Sequence, residues 1–297
     1  MVSRVGGFAA GSPLRVALVA AVFAASFSVP MGSAAPVNGA PSDVAASEAA
    51  RAQRARVVVE SRTTPTKDVR LLTGQDSTLV HNWRLDETSG TTAADSVGGV
   101  PGTVQGAAAF APGRVGNAIA LDGVDDHVST STVNLRTSES FTVSAWVYLS
   151  SKHDGQFTAV SVDGANTSKF RLGHFLDRFE TPFGSWVFEM PETDTESAPV
   201  TKAALSVLGA ELNTWTHLVG VYDAVTGRVW LYVNGERVGD GNLQNPWSAA
   251  GGTQIGRGKE AGAPAEFWPG GVDDVRIYTE RLSTDRIKTL YASYGAG

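Results

Sequence analysis

The chain has 297 residues, 42% of them hydrophobic and 18% charged, with a formal net charge of −6 and no cysteine. Without thiols there are no disulfides, thiolate-held zinc sites, iron–sulfur clusters or cysteine nucleophiles. No block of like charge marks a surface for nucleic acid or an anionic membrane.

The first element in the chain reads as an export signal. Arg4 and Arg15 supply positive charge ahead of an unbroken apolar run over residues 16–29, and "GSAA" follows with small residues suited to cleavage after Ala34 or Ala35. The run is 14 residues long, short of the roughly 20 needed to span a bilayer. No cysteine at the cleavage site can take a lipid. Residues 1–34 are therefore expected to be a signal peptide and the protein to be secreted, with no membrane span. Residues 35–56 are rich in Ala, Ser, Pro and Arg, so residues 35–78 are expected to be a linker or docking segment, with one short strand over residues 57–60.

From about residue 79 the chain consists of short alternating runs separated by turn residues. "FTVSAWVYLS" puts Phe141, Val143, Ala145, Val147 and Leu149 on one face, and Thr142, Ser144, Trp146, Tyr148 and Ser150 on the other. "RVWLYVNGERV" reads as a hairpin closed by a tight primed turn at Asn234-Gly235. "NAIALDG", "SWVFEM", "THLVGVYD" and "DDVRIYTE" are further strands. "LSTDRIKTLYA" predicts one short helix capped by Ser283, with Ile287, Leu290 and Tyr291 at helical spacing. The fold class is all-β, a two-sheet antiparallel sandwich with a short C-terminal helix.

The motifs "WRLDETSGTTAADSVG", "GRVGNAIALDGVDDHV", "ESFTVSAWVYL", "NTWTHLVGVYDAVTGRVWLYVNGERV", "TQIGRG" and "GGVDDVRIYTERLS" occur in this order. As a set they resemble a laminin-G-like domain of the concanavalin A-like jelly-roll superfamily, over about residues 79–297. The resemblance implies two antiparallel sheets packed face to face, one of them concave. It also implies a frequent role in binding glycans or protein partners, without naming a ligand.

"EMPETDTESAP" holds Glu192, Asp194 and Glu196 at the E-x-D-x-E spacing used by retaining glycosidases of the same superfamily, where the set sits on a central strand. Here the strand order implied by the resemblance, together with Pro191 and Pro199, places it in a loop, read as an acidic solvated hairpin tip. The five histidines are scattered, with no H-E-x-x-H pair and no G-x-S-x-G elbow.

Calcium takes six to eight oxygens, many of them from irregular loops. Glu87, Asp95 and loop carbonyls of "DETSGTTAADSVGG" offer such a set. In similar jelly rolls the first and last strands pair, which implies that Asp273 completes the shell. The competing expectation is that these acids cap turns. Asp122 with Gly123 reads as a turn, and Asp125 and Asp126 as the next loop. Trp146, Trp186 and Trp230 are candidate ligand-binding residues, since a concave sheet would gather aromatic faces for sugar rings; the alternative is core packing. Trp247 and Trp268, in Gly/Pro-rich loops, are expected to be partly exposed.

The expected function is a secreted, non-enzymatic binding module, carbohydrate-binding or adhesive and calcium-stabilised, with a glycan or an extracellular protein as partner. The alternatives are a glycoside hydrolase using Glu192 and Glu196, or an interaction domain without a glycan ligand.

Overall fold

The computed structural model describes residues 77–295 apart from 133–134, 152–154, 178–180, 197–199 and 202–204. The expected signal peptide, and the expected linker except its last two residues, lie outside the described residues.

In chain order the strands are β1 (Leu79–Trp83), β2 (Thr92–Ala93), β3 (Gly102–Gln105), β4 (Ala109–Pro112), β5 (Asn117–Asp122), β6 (His127–Thr132), β7 (Phe141–Leu149), β8 (Gly155–Asp163), β9 (Ser168–Asp177) and β10 (Thr181–Pro191). They continue with β11 (Val200–Thr201), β12 (Leu205–Gly209), β13 (Trp215–Asp223), β14 (Arg228–Val233), β15 (Glu236–Asn242), β16 (Gly252–Ile255), β17 (Gly258–Glu260), β18 (Ala263–Ala265) and β19 (Pro269–Tyr278). One helix follows, α1 (Thr284–Ala292).

The first sheet runs β15-β14-β13-β7-β19-β5-β4, with β1 also pairing β19, and the second runs β11-β10-β9-β8-β16-β6-β3-β2, with β12 also pairing β10. β17 and β18 form a separate hairpin. β1 and β19 are antiparallel, with Trp83 opposite Val275, so the opening and closing strands are neighbours.

The alternation in β7 sets the sandwich. Phe141, Val143, Ala145, Val147 and Leu149 join Phe170, Leu172, Trp186, Phe188 and Met190 of the second sheet in one buried cluster. Close packing of two sheets leaves little room where a ring meets a backbone. A Cβ on Gly220 would lie 2.4 Å from Phe188 Cδ2, so glycine lets Phe188 seat directly on β13. Asn234 and Gly235 adopt φ of 50° and 82°, the primed turn that closes β14 onto β15.

The opposite face of the first sheet is partly covered. Trp146, Val219, Val221, Tyr232 and Tyr278 form a second buried cluster with Ile287, Leu290 and Tyr294 from α1 and its C-terminal flank. Ser283 caps the helix, its Oγ accepting from the Arg286 amide.

Candidate functional site

The outer face of the first sheet divides in two. Under α1 it is closed: Trp146 has ring centroids 5.1 Å from His217, 5.7 Å from Tyr291 and 5.4 Å from Tyr294. Two residues further along β7 the cover ends. There Tyr148 lies opposite Trp215 of β13, their centroids 5.5 Å apart and their planes tilted by 52°. Both rings are half-buried.

Tyr148 and Trp215 form one side of a groove of about 390 Å³. Its floor is made of the small residues Ala118, Ala120, Gly270 and Gly271, and Ala111 and Pro112 of β4 line its far side. The local sequence explains the shape. β5 turns Ile119 and Leu121 toward the core, so Ala118 and Ala120 occupy the outer face. On β19 the Gly270-Gly271 pair leaves room for Trp215 to lie against the backbone. A Cβ on Gly271 would meet Trp215 Cη2 at 2.8 Å. The Tyr148 hydroxyl donates to Asn213 Oδ1 at 3.3 Å, which fixes the outer edge of the ring. Among the described residues, none that lines the groove carries a charge.

The outer face of the second sheet is different. Arg171 Nε lies 3.0 Å from Glu266 Oε2, and Arg171 Nη1 lies 3.1 Å from Glu189 Oε1. Gln156 also donates to Glu189, and the Thr158 hydroxyl donates to Glu266. Arg257 grips both oxygens of Asp163 at 3.1 and 3.0 Å. The strands β17 and β18 lie between Arg257 and Glu266 in the chain, so these ion pairs pin both ends of that hairpin. Burial pushes the Glu266 carboxyl up to about 7, against the pull of Arg171. Nearby, Lys169 is buried with its Nζ 4.8 Å from the Trp247 ring, and burial brings its ammonium down to about 7, against Glu192. The guanidinium groups of Arg171 and Arg257 are matched by carboxylates, whereas Lys169 Nζ is buried with no hydrogen-bond partner.

The residues expected to hold calcium are not brought together. Among the described residues, the one set of three acids whose ligand atoms lie within 4.8 Å of one another is Asp122, Asp125 and Asp126. Asp95 is instead the hub of the opening loop. It accepts from the amides of Asn82, Val97, Gly98 and Val100 and lies 2.7 Å from His81 Nδ1. Glu87 accepts from the Ala94 amide, and Asp273 from the buried Val115 amide. Each acid accepts from backbone amides: Glu87 and Asp95 within the opening segment, Asp273 from a residue 158 positions away in the chain. Asp122 and Asp126 likewise accept from the amides of Val124, Asp125, Ala107 and Asp122.

Of the three tryptophans expected to bind ligand, two are enclosed. Trp146 is shut beneath α1, and Trp186 sits in the core between the sheets, stacked on Trp268 at 6.4 Å. Trp230 is half-buried, with the Arg281 guanidinium 5.7 Å from its ring centre. Trp268, expected near the surface, is fully buried and donates from Nε1 to the Tyr148 carbonyl. Tyr148 and Trp215, which face the groove, were visible only as an outward residue of β7 and the first residue of β13.

The acidic loop after β10 is a loop as expected, but not a solvated tip. Glu192 is buried and accepts from the amides of Gln244 and Asn245. Asp194 accepts from the amides of Ala165, Asn166 and Thr167. Glu196 is exposed.

The sequence profile of Laminin_G_3, described as the concanavalin A-like lectin/glucanases superfamily, matches residues 122–288. The chain belongs to this superfamily. No curated protein sequence matches it. Among solved structures it is similar to domain 4 of AbnA, an extracellular GH43 arabinanase from Geobacillus stearothermophilus in complex with arabinotriose. The TM-score is 0.56 at 20% identity, covering 72% of this chain and 98% of that domain. It is also similar to the binding domain of Paraclostridial Mosquitocidal Protein 1 (TM-score 0.56, 14% identity, 74% of this chain and 53% of that one). A third likeness is to Trypanosoma rangeli sialidase (TM-score 0.52, 20% identity, 72% of this chain and 32% of the sialidase). At these identities the likeness is one of fold. This superfamily member spans about half of the second protein and a third of the sialidase.

Proposed function

We propose that the protein is a secreted carbohydrate-binding module and that its ligand lies in the Tyr148–Trp215 groove. The observation that carries this reading is the aromatic pair itself: two half-buried rings, 5.5 Å apart, over a floor of glycine and alanine. Aromatic faces beside a shallow apolar floor suit the C–H faces of sugar rings, and the cavity volume falls in the ~300–1,000 Å³ range of ligand sites. The AbnA domain of the same fold is solved with arabinotriose, which favours a glycan over other small ligands. The N-terminal sequence supports export.

A binding role rather than a hydrolytic one is supported by where the carboxylates lie. Among the described residues, no carboxylate lines the groove. Glu192 is held by two backbone amides, and Glu189 and Glu266 are both committed to Arg171. A glycosidase needs two carboxylates free to reach one bond at a fixed spacing.

The test is a glycan array probed with the mature protein and with Trp215→Ala. Binding by the parent that is lost in the variant supports the reading. Binding that survives in Trp215→Ala moves the site elsewhere, and hydrolysis of any bound glycan replaces the reading with an enzymatic one.

A further inference from the structure

Resting on the groove as the glycan site, we propose that it selects neutral glycans and rejects those carrying a carboxylate, such as sialylated or uronic-acid chains. The lining decides this. Ala118, Ala120, Gly270, Gly271, Tyr148 and Trp215 present ring faces, methyl groups and backbone, and among the described residues no ammonium or guanidinium lines the groove. A carboxylate brought into such a groove loses water and gains no charged partner, and that cost is large.

Among the described residues, three cations near the outer face are engaged elsewhere. The Arg114 guanidinium lies 4.7 Å from the Trp146 ring and donates to the Gly295 carbonyl. Arg276 is buried and paired with Asp274 at 2.9 Å, and Arg281 lies over Trp230. The net charge of −6 adds a long-range repulsion toward acidic polymers. A neutral sugar meets no such penalty. It stacks its apolar face on Trp215 and Tyr148 and keeps its hydroxyls toward water at the open side. The modest volume of about 390 Å³ fits a few rings of a chain rather than a branched structure.

The experiment is calorimetric titration of the mature protein with paired probes of similar length. Arabinotriose and a cello-oligosaccharide stand for neutral glycans, sialyllactose and a trigalacturonide for acidic ones. Each is measured at low and high salt, with Trp215→Ala and Ala120→Trp as variants. Ala120 is exposed on the groove floor, so an indole there fills the groove without entering the core, should Trp215→Ala fold poorly. The expected result is binding of at least one neutral probe, unchanged by salt and weakened about tenfold or more in both variants. Binding of the acidic probes should be absent or at least tenfold weaker. Acidic probes that bind as well as neutral ones, and are lost in the same variants, would overturn the selectivity while keeping the groove. Failure of every probe on a full glycan array overturns the groove itself, and with it the selectivity.

Discussion

Gly271 lies directly beneath Trp215: a Cβ at this position would come within 2.8 Å of the indole Cη2 and 3.2 Å of Cζ2. The clash is with the far end of a half-buried side chain, which can swing away. Gly271→Ala should therefore cost only about 1 kcal/mol of stability, near the low end for overpacking. It should also displace the indole from the groove and weaken glycan binding by about tenfold. Paired melting and titration data check this. A variant that binds as tightly as the parent would show that Trp215 is not the platform.

The phase of β7 is tested from the other side. Val147 is fully buried among the core residues and sits opposite Thr216 and Val272. Val147→Asp places a charge there with no partner and should cost about 3–5 kcal/mol. The yield of folded protein should collapse, or Tm should fall by many degrees. An unchanged Tm would mean that the strand faces the other way.

Alternation in β7 and the Asn234-Gly235 turn made the strand phase and the hairpin legible, because both are local. What covers a face is not local. Trp146 stands on the outer side of its strand as expected, yet it is buried because α1, about 140 residues later, docks over it. The groove was illegible for a similar reason. Trp215, Tyr148 and Gly271 come from three strands and meet only through the register of β13, β7 and β19. The acids misled differently. Glu192 and Asp194 are spelled like a solvated turn, but their partners are amides some 50 and 28 residues away. No local pattern records such pairings.

His217 should make the protein acid-sensitive. Its ring is buried between Trp146, Tyr291 and Tyr294, and neither ring nitrogen has a hydrogen-bond partner. Burial brings it down to about 3, with Asp274 opposing and Arg276 assisting. In the unfolded chain it takes up its proton near 6.5. The folded state resists that proton, so stability is intact above pH 6.5 and is lost as pH falls toward 3. His217→Phe should flatten the fall in Tm between pH 6 and pH 4. An identical slope in the variant would place the acid sensitivity elsewhere.

Glu266 has the opposite sign. Its folded value of about 7 lies above the ordinary 4.5. The folded state therefore holds the proton more tightly than the unfolded chain, a gain present below pH 4.5 and lost as pH rises through 7. Glu266→Gln keeps the shape and removes the titration. The decline in Tm from pH 5 to pH 8 should become shallower in the variant, and an unaltered decline would count against this role.

Asp95 supplies the last prediction, because it separates a metal ligand from a backbone cap. Its two oxygens receive four amides from Asn82, Val97, Gly98 and Val100, and His81 lies beside one of them. Burial pushes the carboxyl up, but His81 and the amides outweigh it, so it lies below its ordinary value. That sign means its contribution is present above about pH 3.8 and fades as pH falls through the lowered folded value. Asp95→Ala strips a charged acceptor from several donors at once and should cost about 3 kcal/mol. Asp95→Asn retains one carbonyl acceptor and should lose about half as much. A cap acts without an ion, so both losses should be the same in calcium and in chelator. If Asp95 were instead a calcium ligand, the parent alone would melt higher in calcium, by an amount growing with the ion concentration, and the Ala variant would not respond. Melting the parent and both variants across a calcium series decides between the two roles.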